Sequence, residues 1–139
     1  MSVPSPTEGV EAAAQTPYAL LGGEAAVRAL VERFYDLMEL EPRYAELRAL
    51  HAADLTQARE KLALFLSGWL GGPSLYIERH GHPMLRRRHL PFSIGTRERD
   101  QWLACMEQAM LEQGVSDDLR QRLRQAFFQT ADWMRNRAG

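Results

Sequence analysis

The sequence is short of cysteine, of long apolar runs and of any excess charge, and each shortage removes a class of function. A single cysteine, Cys105, excludes an intrachain disulfide and a metal site built from several thiolates. No stretch approaches the ~18 consecutive apolar residues of a membrane-crossing helix, so no membrane partner is expected. The first residues lack a basic start followed by an apolar block, so no signal peptide is expected and a cytoplasmic protein is the simplest reading. A formal net charge of −1 gives no global pull toward nucleic acid or an anionic bilayer. Period-2 alternation and internal repeats are missing as well, which leaves helices.

What is present supports one domain. The 139 residues are 45% hydrophobic and 25% charged, enough to bury a real core. Residues 1–17, rich in Pro, Ala, Ser, Thr and Glu, carry little apolar periodicity and are expected to form a mobile tail before a single domain over 18–139. Gly22-Gly23 suits a sharp bend, after which a helix starts at Glu24. Its apolar positions Val27, Leu30, Val31, Phe34 and Met38 follow helical spacing, and Tyr35, four residues after Val31, lies on the edge of that stripe and can point inward.

The polar segment from Glu39 to Ala53, containing Pro42, reads as a loop with one short helical turn. Asp54 and Gln57 form a capping-box-like start to a helix whose face carries Leu55, Ala58, Leu62, Phe65, Leu66 and Trp69, ended by Gly71-Gly72-Pro73. The next twenty residues leave room only for a short helix around Pro83 to His89, because Leu90 precedes Pro91. Thr96 is expected to cap a helix with Trp102, Cys105 or Leu103, Met106, Ala109 and Met110 inward, closed by Gly114. Ser116 caps the last, with Asp117 and Asp118 near its positive end and Leu119, Leu123, Ala126, Phe127, Thr130 and Met134 as its stripe. The expected architecture is all-α, four substantial helices around a glycine-rich middle.

Chemistry concentrates in the run from His80 to Phe92, where His89 stands between Arg86-Arg87-Arg88 and Pro91. An axial haem ligand needs a short rigid segment, apolar neighbours and cations near the porphyrin carboxylates. Leu85 and Phe92 could supply the apolar contacts, and Arg86 or Arg88 the cation. Other readings stand beside this one. His80 and His82 could bind zinc with His89, although no cysteine or carboxylate pattern completes a site. The arginine run could neutralise phosphates, yet a helix would spread it around its circumference. Cys105 reads as a buried small hydrophobe or a redox thiol, and Trp102 as core packing.

The ordered set Phe34-Tyr35-Asp36, Trp69-Leu70-Gly71-Gly72-Pro73, His80-Gly81-His82-Pro83, His89-Leu90-Pro91-Phe92 and Trp102 resembles the second group of the truncated globins, across about Tyr18 to Arg137. The resemblance implies a two-over-two helical sandwich around haem b, with the helix bearing the iron ligand cut to about one turn. It implies His89 as proximal iron ligand, Tyr35 as distal tyrosine and Trp102 as distal tryptophan. Ala58 and Leu62 match distal-helix positions facing the ligand. His51 falls where the family usually has phenylalanine or tyrosine, a departure from the common pattern. Phe34, Phe65, Leu66, Leu85, Phe92 and Met106 are implied porphyrin walls, Lys61 and Arg88 propionate partners, and Tyr76 a further hydrogen-bond donor.

The implied function is reversible binding of dioxygen and other diatomic ligands, with Tyr35 and Trp102 as donors that slow ligand escape. The alternative is a haem enzyme with peroxidase-like or nitric oxide dioxygenase activity. No flavin or nicotinamide domain is apparent, so a reductase would be a separate partner, and a monomer or homodimer is expected. A helical regulator without cofactor is the third reading.

Overall fold

Helix α1 (Pro17–Leu21) starts where the Thr16 hydroxyl accepts from the Ala19 N–H and proline occupies the first turn. The structure, a computed structural model, describes residues 16–137. The expected tail therefore lies outside the described residues as far as residue 15, while Thr16 caps α1 and Pro17 is its first residue. Gly22 and Gly23 follow at φ +119° and +85°, the left-handed region that turns the chain sharply into α2 (Glu24–Leu40). Val27, Leu30, Val31, Phe34, Tyr35 and Met38 are buried as their spacing requires, and Leu37 joins them.

The segment after α2 is more regular than expected. A 3-10 turn (Pro42–Tyr44) leads into α3 (Ala45–Ala49). Two anchors order it: the Tyr44 hydroxyl, on a ring only 1% exposed, donates to Gln108 Oε1 at 2.7 Å, and the Leu47 N–H donates to Gln101 Oε1 at 3.0 Å. Helix α4 (Thr56–Trp69) begins without the expected capping box, because Asp54 Oδ1 accepts from the Thr56 N–H at 2.8 Å and from its hydroxyl at 2.6 Å. That local Asx turn uses the carboxylate two residues on and leaves Gln57 no part.

Helix α5 (Leu75–His80) was not expected among so many helix breakers; Tyr76, 7% exposed, anchors it against Phe65 with ring centroids 6.3 Å apart. Helix α6 (Leu85–His89) is the expected short one. Helix α7 (Thr96–Glu112) is capped one residue earlier than expected, at Gly95, whose N–H donates to the Glu98 carboxylate at 2.9 Å. Helix α8 (Asp117–Trp133) has Ser116 as its cap, accepting from the Leu119 N–H at 3.4 Å.

The pair α2 and α4 packs against the pair α7 and α8 through α2–α7 contacts, and α5 rests on α4. This is the two-over-two helical arrangement, without a strand among the described residues. Its centre holds Phe34, Met38, Leu66, Cys105, Met106, Ala109 and Met110. Among the described residues no helix is long and apolar enough to cross a membrane.

Candidate functional site

His89 closes α6, half-buried, with Nδ1 2.6 Å from the Leu85 carbonyl oxygen one turn back. A carbonyl only accepts, so Nδ1 is the donor, and in the neutral ring Nε2 then keeps its lone pair, the form of imidazole that ligates a metal. The turn leading to α6 is built by His82, whose Nδ1 accepts from the Met84 N–H at 3.1 Å while Met84 stands at φ +48°. His82 is thereby committed to shaping the chain. Among the described residues no cluster of three or more His, Cys, Asp or Glu side chains is placed to hold a metal ion, so the zinc reading of His80, His82 and His89 has no geometry behind it.

Arg86 is turned toward the end of α8. Its guanidinium donates to Trp133 O at 2.6 Å and lies 5.2 Å from the centre of the Trp133 ring, which fastens α6 to the end of α8. Arg88 is exposed, with its guanidinium 5.9 Å from the centre of the Tyr76 ring. Lys61 is exposed on α4.

Tyr35 is 5% exposed on α2. Its ring meets Phe34 at 5.0 Å and His51 at 5.7 Å, both edge to face. Burial pushes the phenol above its ordinary pKa, opposed by the Arg59 guanidinium 5.8 Å from the ring centre. Arg59 also pairs with Asp36 and Glu32, both at 2.9 Å, locking α4 onto α2 beside Tyr35. Nothing in the sequence reading singled out Arg59; its signal was an arginine next to Ala58, with Asp36 next to Tyr35. Among the described residues the Tyr35 hydroxyl and the Trp102 indole N–H make no hydrogen bond, and none of the fully buried side-chain N or O atoms lacks one, so both groups keep access to open space.

His51 Nδ1 lies 3.0 Å from the Leu47 carbonyl oxygen, which leaves its Nε2 as a free base. Burial lowers its pKa, with the Leu47 contact opposing and the charges of Arg48 and His89 adding to the fall. Trp102, half-buried on α7, touches Phe34 at 5.2 Å and Phe127 at 5.3 Å, and Trp69 stacks on Phe127 at 4.8 Å.

The expected wall residues divide into two sets. Phe34, Leu66 and Met106 are sealed in the core, at most 1% exposed. Ala58, Leu62, Phe65 and Leu85 are partly exposed, and Phe92 is 43% exposed. Of the second set, Phe65 of α4 and Leu85 of α6 line one opening together. It is a cavity of about 550 Å³, between Phe65 and Trp69 of α4, Pro83, Met84 and Leu85 before and in α6, and Thr130 and Met134. Another of about 490 Å³ opens beside His51, bounded by Met38, Pro42 and Arg48. Cys105 stands apart, with Sγ on the Phe34 carbonyl oxygen at 3.2 Å.

The bacterial-like globin family model matches residues 16–136. Among curated proteins, the chain is 43% identical over 105 residues to the group 2 truncated hemoglobin YjbI of Bacillus subtilis, covering 76% of each. Among solved structures it is similar to the group II 2-on-2 hemoglobin of Agrobacterium tumefaciens, with TM-score 0.84, 47% identity and coverage of 87% of this chain and 94% of that one. It is also similar to the truncated oxygen-avid haemoglobin of Bacillus subtilis, with TM-score 0.80, 41% identity and coverage of 88% and 100%.

Proposed function

This chain belongs to the bacterial-like globin family, which implies a haem cofactor, and we propose that it holds haem b between α4 and α6 and reversibly binds dioxygen and other diatomic ligands. The observation that carries this is the state of His89: Nδ1 is committed to the Leu85 carbonyl, and Nε2 is free to ligate iron. When bound, the haem supplies a ferrous iron able to take up a diatomic ligand. Leu62, Phe65, Leu85 and Phe92 cover the porphyrin faces and exclude water, with Phe34, Leu66 and Met106 packed behind them. Arg88 and Lys61 stand at the rim, where they balance the propionates, and Tyr76 beneath Arg88 orients it. Tyr35 and Trp102 keep donors unspent for the bound ligand, Ala58 leaves room for it, and His51 completes the pocket. The oxygen avidity stated for the Bacillus subtilis protein fits such a pair of donors.

Peroxidase-like or nitric oxide dioxygenase activity is the second reading. The free Nε2 of His51 beside Tyr35 favours it, as a base within the pocket. Oxygen binding and nitric oxide dioxygenase activity would both need a separate reductase to keep the iron ferrous, and we place the protein in the cytoplasm.

The test is the absorption spectrum of wild type and His89→Ala after haem is supplied, ferric, then reduced under carbon monoxide and under oxygen. The proposal expects an intense Soret band that shifts with each ligand and is altered or lost in the variant. A wild-type protein that stays colourless overturns it. A stable oxygen complex supports the carrier, and turnover of peroxide with a reductant supports the enzyme.

A further inference from the structure

Beyond the end of α8 the chain returns to the segment carrying His89. The Asn136 carboxamide lies across residues 89–94: Nδ2 donates to Phe92 O at 2.7 Å and to His89 O at 3.3 Å, and Oδ1 accepts from the Ile94 N–H at 2.9 Å. The backbone N–H groups of Asn136 and Arg137 both donate to Ile94 O, at 2.8 and 3.1 Å. A primary amide suits this place because it donates twice and accepts at once.

The segment it holds has two further anchors, the buried Ile94 side chain and the Ser93 hydroxyl, which accepts from Arg137 Nε at 3.1 Å, and both lie beyond the helix that carries His89. Helix α6 is five residues long, has no side-chain cap and contains no buried residue. A helix that short is not self-sustaining in water. Its start is fastened by Arg86, which reaches Trp133 O at 2.6 Å and Arg135 O at 3.3 Å. Its end is fastened by Asn136. Both fastenings come from the end of α8 and the residues just beyond it, Asn136 lying 47 residues from His89 in sequence.

We propose that Asn136 is a positioning residue for His89. By holding the His89 and Phe92 carbonyls and the Ile94 N–H, it sets the pitch of α6, and with it the direction of Nε2 and the Nδ1–Leu85 contact that governs how strongly the imidazole donates. Asn136 itself touches no reacting atom. The inference rests on His89 as iron ligand.

The experiment compares haem-loaded wild type, Asn136→Ala, Asn136→Asp and Asp132→Asn. Asp132→Asn weakens the Arg99 and Arg135 ion pairs at the same end of α8 and leaves residues 89–94 alone. The readouts are the iron–histidine stretching band of the unligated ferrous protein and the rate of haem loss to an excess of an acceptor apoglobin. Asn136→Ala should move the band to lower frequency, broaden it, and release haem about tenfold faster, the range typical for groups that orient a metal ligand. Asn136→Asp keeps the acceptor for Ile94 but sets a carboxylate oxygen against the Phe92 and His89 carbonyls, so it should shift the band at least as far as alanine does; it also carries the test should the alanine variant fail to fold. Asp132→Asn should lower the melting temperature and leave the band in place. An unmoved band in the Asn136 variants, or an equal shift in Asp132→Asn, overturns the proposal. A wild-type protein without a Soret band instead sinks the haem reading beneath it.

Discussion

The rings of Tyr35 and His51 meet edge to face, 5.7 Å between centroids and 81° between planes, so the α2 phenol is held by a residue from the segment that joins α3 to α4. The contact restrains both rings, while the tyrosine hydroxyl and the histidine Nε2 remain free of protein partners among the described residues. Two polar groups of opposite preference, a donor and a base, are thus offered to whatever occupies the cleft.

Tyr35→Phe removes the hydroxyl and keeps the ring that packs on Phe34 and His51. The melting temperature should change little, since no protein hydrogen bond is lost. Oxygen release should accelerate by about tenfold or more, from a donor worth roughly 1.5–3 kcal/mol toward a partly charged ligand. Stopped-flow dissociation from the oxygen complex measures it, and an unchanged rate would remove Tyr35 from the ligand site.

His51 predicts a pH dependence. Burial favours its neutral form, so its folded pKa lies below the ordinary value of about 6.5. Between those two values the unfolded chain binds the extra proton, and stability therefore falls as pH falls. The neutral imidazole's contribution is whole above about pH 6.5 and is lost as pH drops through the folded value. His51→Phe keeps an aromatic edge on Tyr35 and does not titrate. Its melting temperature should decline less than that of wild type between pH 7 and pH 5; parallel declines would contradict a half-buried neutral His51.

The long helices were legible because their signal is local: Val27, Leu30, Val31, Phe34 and Met38 recur at helical spacing, and all are buried. Tyr35 followed from the same spacing. The register of α7 stayed open between Cys105 and Leu103, and packing decided it, with Cys105 fully buried and Leu103 only partly so. Distant contacts were not legible. Helix α5 exists because Tyr76 reaches Phe65, a contact that the surrounding Gly and Pro residues gave no reason to expect. Arg86 and Arg88 were alternative cations on local grounds, and only the approach of the α8 end shows that Arg86 reaches the Trp133 carbonyl. The caps at Asp54 and Gly95 each slipped because competing hydrogen bonds one or two residues away settle such ends.

Cys105 should be inert in the folded protein. Its side chain is fully buried, its Sγ rests on the Phe34 carbonyl, and burial pushes its pKa up to about 12. Thiolate, the reactive form, is therefore scarce at pH 8. A thiol reagent at that pH should label the native protein only as fast as it opens, and label the denatured protein at once. Rapid labelling of native protein would mean that the α2–α7 contact is loose around Phe34.

Gly72 tests the motif that closes α4. A Cβ built there would lie 2.5 Å from Tyr18 Cδ2 and 2.6 Å from its Cγ, too close for contact and too near the backbone to be relieved by rotating a ring tip. Tyr18 cannot simply withdraw, since its N–H donates to Leu70 O at 2.9 Å and ties α1 to the end of α4. Gly72→Ala should thus cost about 1–3 kcal/mol, the usual range for overpacking, and lower the melting temperature by several degrees. Tyr18→Ala introduced into the Gly72→Ala protein should cost less than it does in wild type, because it removes the clash along with the ring. A double-mutant cycle on melting temperatures or denaturant midpoints reads that coupling. Strict additivity would show that glycine is tolerated at position 72 for some reason other than the close approach of Tyr18.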